Sequence, residues 1–161
     1  MPEIDPAAAH LADQLERSFR GGAWHGPSVT EALAGVDAAA AAARPVGGAH
    51  TIAELAGHVA AWMDVAARRI GGEEVLDLPP EEDFPPDGAA SPEAWRETLA
   101  RLDETYRRLH TLVRDLTAEG LEAPVAGSDP TVRGLVLGVL QHNAYHGGQI
   151  VVLVRAAGTG G

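Results

Sequence analysis

Between residues 91 and 116, apolar residues recur in alternating steps of four and three: Trp95, Leu99, Leu102, Tyr106, Leu109, Val113 and Leu116. That spacing draws one unbroken stripe down an α-helix, the seam of a helical bundle or coiled coil. Ser91 is placed to cap the helix and Pro92 to occupy its first turn. A stripe of this length must be covered by other helices, so the rest of the chain is expected to supply them.

It does so in four further stretches. The first helix is predicted over residues 6–20, with Asp5 as N-cap, Pro6 at the first position, Gly21-Gly22 as the stop, and Ala8, Leu11, Leu15 and Phe19 on one face. A shorter, broken helix is expected after Ser28, where Ser28-Val29-Thr30-Glu31 has the capping-box pattern, and continues through the alanine run 38–43 to bridge two longer helices. Thr51-Ile52-Ala53-Glu54 is a second capping box, and it opens a long helix with Ile52, Leu55, Val59, Trp62 and Ala66 on its apolar stripe. The last long helix is predicted to follow Asp129-Pro130 and to run to about residue 157. Between the second and third long helices, residues 71–90 hold four prolines and seven acidic residues. By composition this is a solvated crossover, with a lid over a site as the alternative. The fold class is therefore all-α, with residues 1–161 expected to form a single helical domain.

Charge and composition narrow the functional classes. A net charge of −11 over 161 residues disfavours a nucleic-acid surface, which would need a basic patch. There is no cysteine, which excludes disulfides, thiolate ligands and a cysteine nucleophile. No apolar stretch approaches the roughly 20 residues of a membrane span, and Met1-Pro2-Glu3-Ile4-Asp5 lacks the pattern of a signal peptide. The expectation is a cytoplasmic protein without nucleic-acid or membrane partners.

Chemistry is concentrated in histidines. His142 and His146 stand four residues apart, so their rings project to one side of the last helix. At 100° per residue Leu135, Val139, His142, His146 and Leu153 fall within about 60° of one another, which places both histidines on the apolar face. Two buried neutral imidazoles need partners, and a metal ion is one partner that serves both. His58, on the flank of the second long helix's stripe, can complete a three-nitrogen site with an open coordination position. The alternative is that all three are core histidines satisfied by hydrogen bonds, for instance to Gln141 or Tyr145. His10 and His110 read as surface residues, and His50 as part of the turn before the Thr51 cap. Trp24-His25-Gly26-Pro27-Ser28 reads as a tryptophan plug and a turn, with a pocket-facing pair as the alternative. Gly147-Gly148 is costly inside a helix, which suggests close approach of another helix or room at the metal.

Several chemistries are ruled out by residue type. Asn143 stands where a zincin would need glutamate, and neither His142 nor His146 has a glutamate three residues before it, as a carboxylate di-iron bundle requires. Neither a phosphate-binding loop nor a nucleophile elbow is present.

Taken together, Thr51-Ile52-Ala53-Glu54-Leu55-Ala56-Gly57-His58-Val59-Ala60-Ala61-Trp62 and His142-Asn143-Ala144-Tyr145-His146-Gly147-Gly148-Gln149-Ile150 resemble the DinB-like (YfiT-like) superfamily. The Trp24–Ser28 segment is similar to one branch of it. The resemblance spans about residues 6–157. It implies a four-helix bundle of up-down-down-up type with one long crossover between the second and third long helices, a homodimer, and one divalent metal on His58, His142 and His146, zinc or nickel first. Iron or copper would also suit three imidazoles. It further implies thiol-dependent transferases and isomerases that use bacillithiol, mycothiol or glutathione, so a metal-dependent transferase with a small thiol is the leading expectation and metal-dependent hydrolysis by a bound water its variant. The superfamily's name refers to induction by DNA damage, so a stress-associated protein with a structural metal, or none, is the alternative. No residue stands out as general base; His25 and Tyr145 are the candidates.

Overall fold

A computed structural model describes residues 5–128 and 130–158. Asp129, expected just before the last helix, lies outside the described residues. Among those described, the chain is all-helical and has no strand: α1 (Pro6–Arg20), α2 (Val29–Ala32), α3 (Ala38–Ala42), α4 (Ile52–Ile70), α5 (Pro80–Asp83), α6 (Pro92–Arg114), α7 (Ala118–Glu122) and α8 (Val132–Ala156). No helix among them is long and apolar enough to cross a membrane.

The caps follow from local chemistry. Asp5 accepts the backbone N–H groups of Ala7 and Ala8, and Ser91 and Thr131 accept those of Ala94 and Gly134. Ser28 and Thr51 each complete a capping box, with Glu31 and Glu54 reaching back. Each such device satisfies orphan donors of the first turn and contributes about 1 kcal/mol. The second predicted stretch is broken into α2 and α3. Its turn is tied to α6 by the Trp95 indole N–H, which donates to the Val36 carbonyl at 2.9 Å. Two short helices, α5 and α7, were not foreseen, because four or five residues are too few to show a period.

Four long helices surround one core in which Leu15, Phe19, Ile52, Leu102, Leu109 and Ile150 are fully buried. α1 lies against α6 and α8, and α4 lies against α6 and α8. Residue pairs give their sense. Between α1 and α6, Glu16 meets His110, Phe19 stacks on Tyr106 and Arg20 pairs with Asp103, so one number falls as the other rises. Between α4 and α6 the numbers rise together. Ala53 and Thr98 both lie against Gly88, and Asp64 pairs with Arg108, eleven residues further along α4 and ten along α6. Along α4 and α8 they oppose again: Leu55 and Leu153 line one cavity, Arg69 and Leu135 line another, and Met63 meets Asn143 between them.

Two expectations need correction. The buried face of α8 comprises Val132, Val136, Val139, Asn143, His146, Gly147, Ile150 and Leu153; His142 is half-buried on its flank. The reason is α2, whose Val29 lies against Gly147 and rotates the covered face towards that side. The crossover is not simply solvated either. Val75 and Ala89 are buried, Arg69 donates to the Val75 carbonyl at 2.9 Å, and Thr98 donates to that of Gly88 at 2.8 Å. Pro85 packs so closely on Gly57 that a Cβ there would stand 3.1 Å from the proline ring.

Candidate metal centre

α4 and α8 run side by side, and their sequences place His58 on one and His142 and His146 on the other, one turn apart. Ring centroids are separated by 4.8 Å for His58–His142, 4.6 Å for His58–His146 and 4.4 Å for His142–His146. One nitrogen from each ring lies within 4.8 Å of the others. His58 and His146 are buried and His142 half-buried.

Hydrogen bonds set the tautomers. The Nδ1–H of His58 is 2.9 Å from both the backbone carbonyl and Oδ1 of Asp83, and the same Oδ1 accepts the Trp62 indole N–H at 2.7 Å. The Nδ1–H of His146 donates to Oε1 of Gln149 at 2.7 Å. Both residues therefore keep Nε2 as the lone-pair nitrogen. Phe84 lies flat on His58 (4.0 Å, 6°) and holds the ring from its open face. Burial, reinforced by the neighbouring imidazoles His146 and His58, pushes His142 down to about 3. His146 is also lowered, chiefly by burial, against the opposing pull of its Gln149 bond. Neutral imidazoles are what a cation requires.

The donor set fits a divalent ion. His58 Nε2 and His142 Nε2 face one another at 2.9 Å, and nitrogens bound to one tetrahedral ion stand about 3.3 Å apart. The rings need to part by only a few tenths of an ångström. His142 Nδ1 is buried without a hydrogen-bond partner among the described residues, so protein bonds alone do not satisfy this ring.

A family model described as the DinB superfamily matches residues 23–150. The chain belongs to the DinB superfamily. The same comparisons found no match among curated proteins and none among solved structures. In this member His58, His142 and His146 form a group that can hold a metal ion.

Around the triad of this DinB protein are two cavities. One of about 560 Å³ is lined by His50, Leu55, Tyr145, Gly148, Gln149 and Leu153, among others. It contains none of the three histidines, but Gln149 bonds His146 and the Tyr145 ring lies 4.9 Å from it. The other, about 230 Å³, has His142 and Trp62 in its wall. Of the two candidates for a base, Tyr145 is 65 % exposed at the rim of the first cavity. His25 lines a separate surface cavity with Gln14, Arg17 and Leu140 and makes no contact with the triad among the described residues. Trp24 is fully exposed, not a plug.

Sequence reasoning missed Asp83, Phe84 and Gln149 as partners of the triad, and Asn143 as a buried residue. Gln149 was detectable, since it lies three residues after His146 on the same helix face. Asp83 and Phe84 were not, because nothing local marks which residues of an acidic, proline-rich segment turn inward.

Proposed function

We propose that this DinB protein is a metal-dependent enzyme built on one divalent ion held by His58, His142 and His146, with a small thiol as co-substrate. The observation that carries the reading is the convergence of three imidazoles from two helices, two of them with Nδ1–H already committed to oxygen acceptors. When bound, the ion would lower the pKa of a thiol or water and present the anion as nucleophile. Asp83 and Gln149 orient the two buried rings, Phe84 excludes water from the face of His58, and the 560 Å³ cavity offers space beside His146 for a small molecule. Zinc or nickel is the preferred ion; iron or copper suits the same donors.

The fold proposed with it is a four-helix bundle of up-down-down-up type, formed by one domain. The opposed numbering of α1 with α6 and of α4 with α8, and the matched numbering of α4 with α6, support it. A cytoplasmic homodimer completes the reading. Exposed Leu137, Tyr145 and Val152 on a helix with no charge between Arg133 and Arg155 support self-association.

The test is elemental analysis of untagged protein. About one equivalent of metal per chain is expected, with loss in His58→Ala and His146→Ala. Conjugation of an electrophile with low-molecular-weight thiols should then stop when a chelator removes the ion. Less than about a tenth of an equivalent in protein protected from chelators removes the metal reading. The second reading is a structural ion, favoured by the way the triad bridges α4 and α8. In that case chelation lowers the melting temperature and no thiol-dependent turnover is found.

A further inference from the structure

His50 does more than complete a turn. The carboxylate of Glu54 is buried, and three neighbours surround it. Oε1 pairs with Arg44, while Oε2 accepts the Thr51 backbone N–H at 2.9 Å and lies 3.1 Å from His50 Nδ1. Burial alone would raise the pKa of Glu54, but the bonds from Thr51, His50 and Arg44 outweigh it and hold the group below its ordinary range. An ionised carboxylate only accepts, so His50 Nδ1 carries the hydrogen, and in the neutral ring Nε2 is then the acceptor.

The ring is also fixed in its plane. His50 stacks on Phe84 at 3.8 Å and 3°, and the opposite face of that phenyl carries His58. His50 lines the 560 Å³ cavity with Tyr145 and Gln149, both of which touch His146, against apolar walls that include Val46, Leu55 and Val152. Among the described residues no lysine or arginine lines this cavity, so an anionic head would find no countercharge in its wall. A carboxylate, an oriented imidazole and an apolar chamber together form an acceptor site, one phenyl ring away from a metal ligand. The capping box does not explain it, because Thr51 and Glu54 complete that device without His50.

We propose that His50, held by Glu54, binds the polar head of the substrate in this cavity, and that the substrate has an apolar body and one hydrogen-donating head, a thiol or an alcohol. The assignment names the substrate class for the function proposed above and rests on that reading for its relevance to the metal. Binding at His50 itself needs no ion, which allows the two ideas to be tested apart.

The experiment uses the full chain, with and without chelator, titrated with benzyl mercaptan and with benzyl methyl sulfide, which has the same body but no donor. Imidazole nitrogen resonances are followed by NMR. In chelator, the thiol is expected to bind about five- to tenfold tighter than the sulfide, the effect of one hydrogen bond. The His50 Nε2 resonance should shift, and His50→Phe, which keeps a flat ring on Phe84, should abolish the preference. Equal binding of the two probes in chelator, or a preference that survives His50→Phe, overturns the assignment. Should His50→Phe fail to fold, the wild-type Nε2 resonance decides, and no shift on adding thiol overturns it. A preference in protein that, purified without chelator, holds less than about a tenth of an equivalent of metal removes the metal reading and leaves this one standing.

Discussion

Gly57→Ala separates the role of the crossover from the stability of the helix it covers. Gly57 lies inside α4, next to His58, and an added Cβ would stand 3.1 Å from both Cδ and Cγ of Pro85. Alanine in a helix interior is favoured over glycine by about 1 kcal/mol. Overpacking against Pro85 costs about 1–3 kcal/mol if the crossover holds its place, and this end of it is well anchored. Asp83 is bonded to His58 and Trp62, Phe84 is sandwiched between His50 and His58, and Gly88 is tied to Thr98. The relief open to the protein is a shift of the 83–85 segment by a few tenths of an ångström, which loosens the acceptors of His58 Nδ1. Loss of such a partner weakens metal binding about 10- to 100-fold. The expected phenotype is therefore a dissociation of two measurements. Thermal unfolding of the metal-free variant stays within about 1 kcal/mol of wild type, while zinc affinity, measured by competition with a chromophoric chelator, falls at least about tenfold. A variant stabilised by the full helix-propensity gain with unchanged zinc affinity would show that Pro85 yields freely and that the crossover does not position His58.

Two further outcomes follow from burial. The metal-free protein should lose stability as pH falls from about 6.5 towards 3, because unfolded imidazoles take up protons near 6.5 while His142 resists to about 3 and His146 is lowered too. The unfolded state then binds more protons, so the contribution is complete above the unfolded pKa and declines through that window. The slope per histidine is at most about 1.4 kcal/mol per pH unit, less for half-buried His142 because of solvent screening. Urea midpoints at about pH 7, 6 and 5 measure it, and His142→Ala should flatten the curve; equal slopes in variant and wild type would refute the assignment. Asn143 is wholly buried, its Oδ1 has no partner among the described residues, and its Nδ2 meets only Met63 Sδ at 4.0 Å. Asn143→Leu should remove an orphan acceptor and raise stability by about 1 kcal/mol, read by chemical denaturation. Destabilisation by a similar amount would mean that Oδ1 has a partner in solution.

What was legible in the sequence depended on how local the cause was. Asp5, Ser28, Thr51 and Ser91 announce their helices because a cap acts within three residues, and the four-three stripe of α6 because a period needs only its own helix. His58, His142 and His146 were legible as a set through helical phase. The same phase misjudged which of His142 and Asn143 is covered, because that is decided by Val29 of α2, more than a hundred positions earlier. Glu54 was legible as a capping glutamate. That one of its oxygens also faces His50, and that Arg44 takes the other, depends on how residues 44–50 curl, which has no periodic signature.

The crossover shows why topology, not motif, supplies the outer layer of the site. α4 and α6 rise together, so the chain must return along the full length of α4 before α6 begins. A helix of 19 residues is about 28 Å long, a span that roughly nine extended residues can cover. Residues 71–91 provide more than twice that number, and the surplus forms α5 and folds down onto the helix. The return path starts at the end of α4, where Arg69 holds Val75, and finishes beside Ala53, where Gly88 packs. His58 lies between those points. A segment with seven acidic residues passing that position places a carboxylate within reach of the ring, and Asp83 is the one that bonds it. Shortening the crossover to the minimum that spans the helix should therefore preserve the helices and remove the acceptor of His58, with zinc affinity as the measurement that tells the two apart.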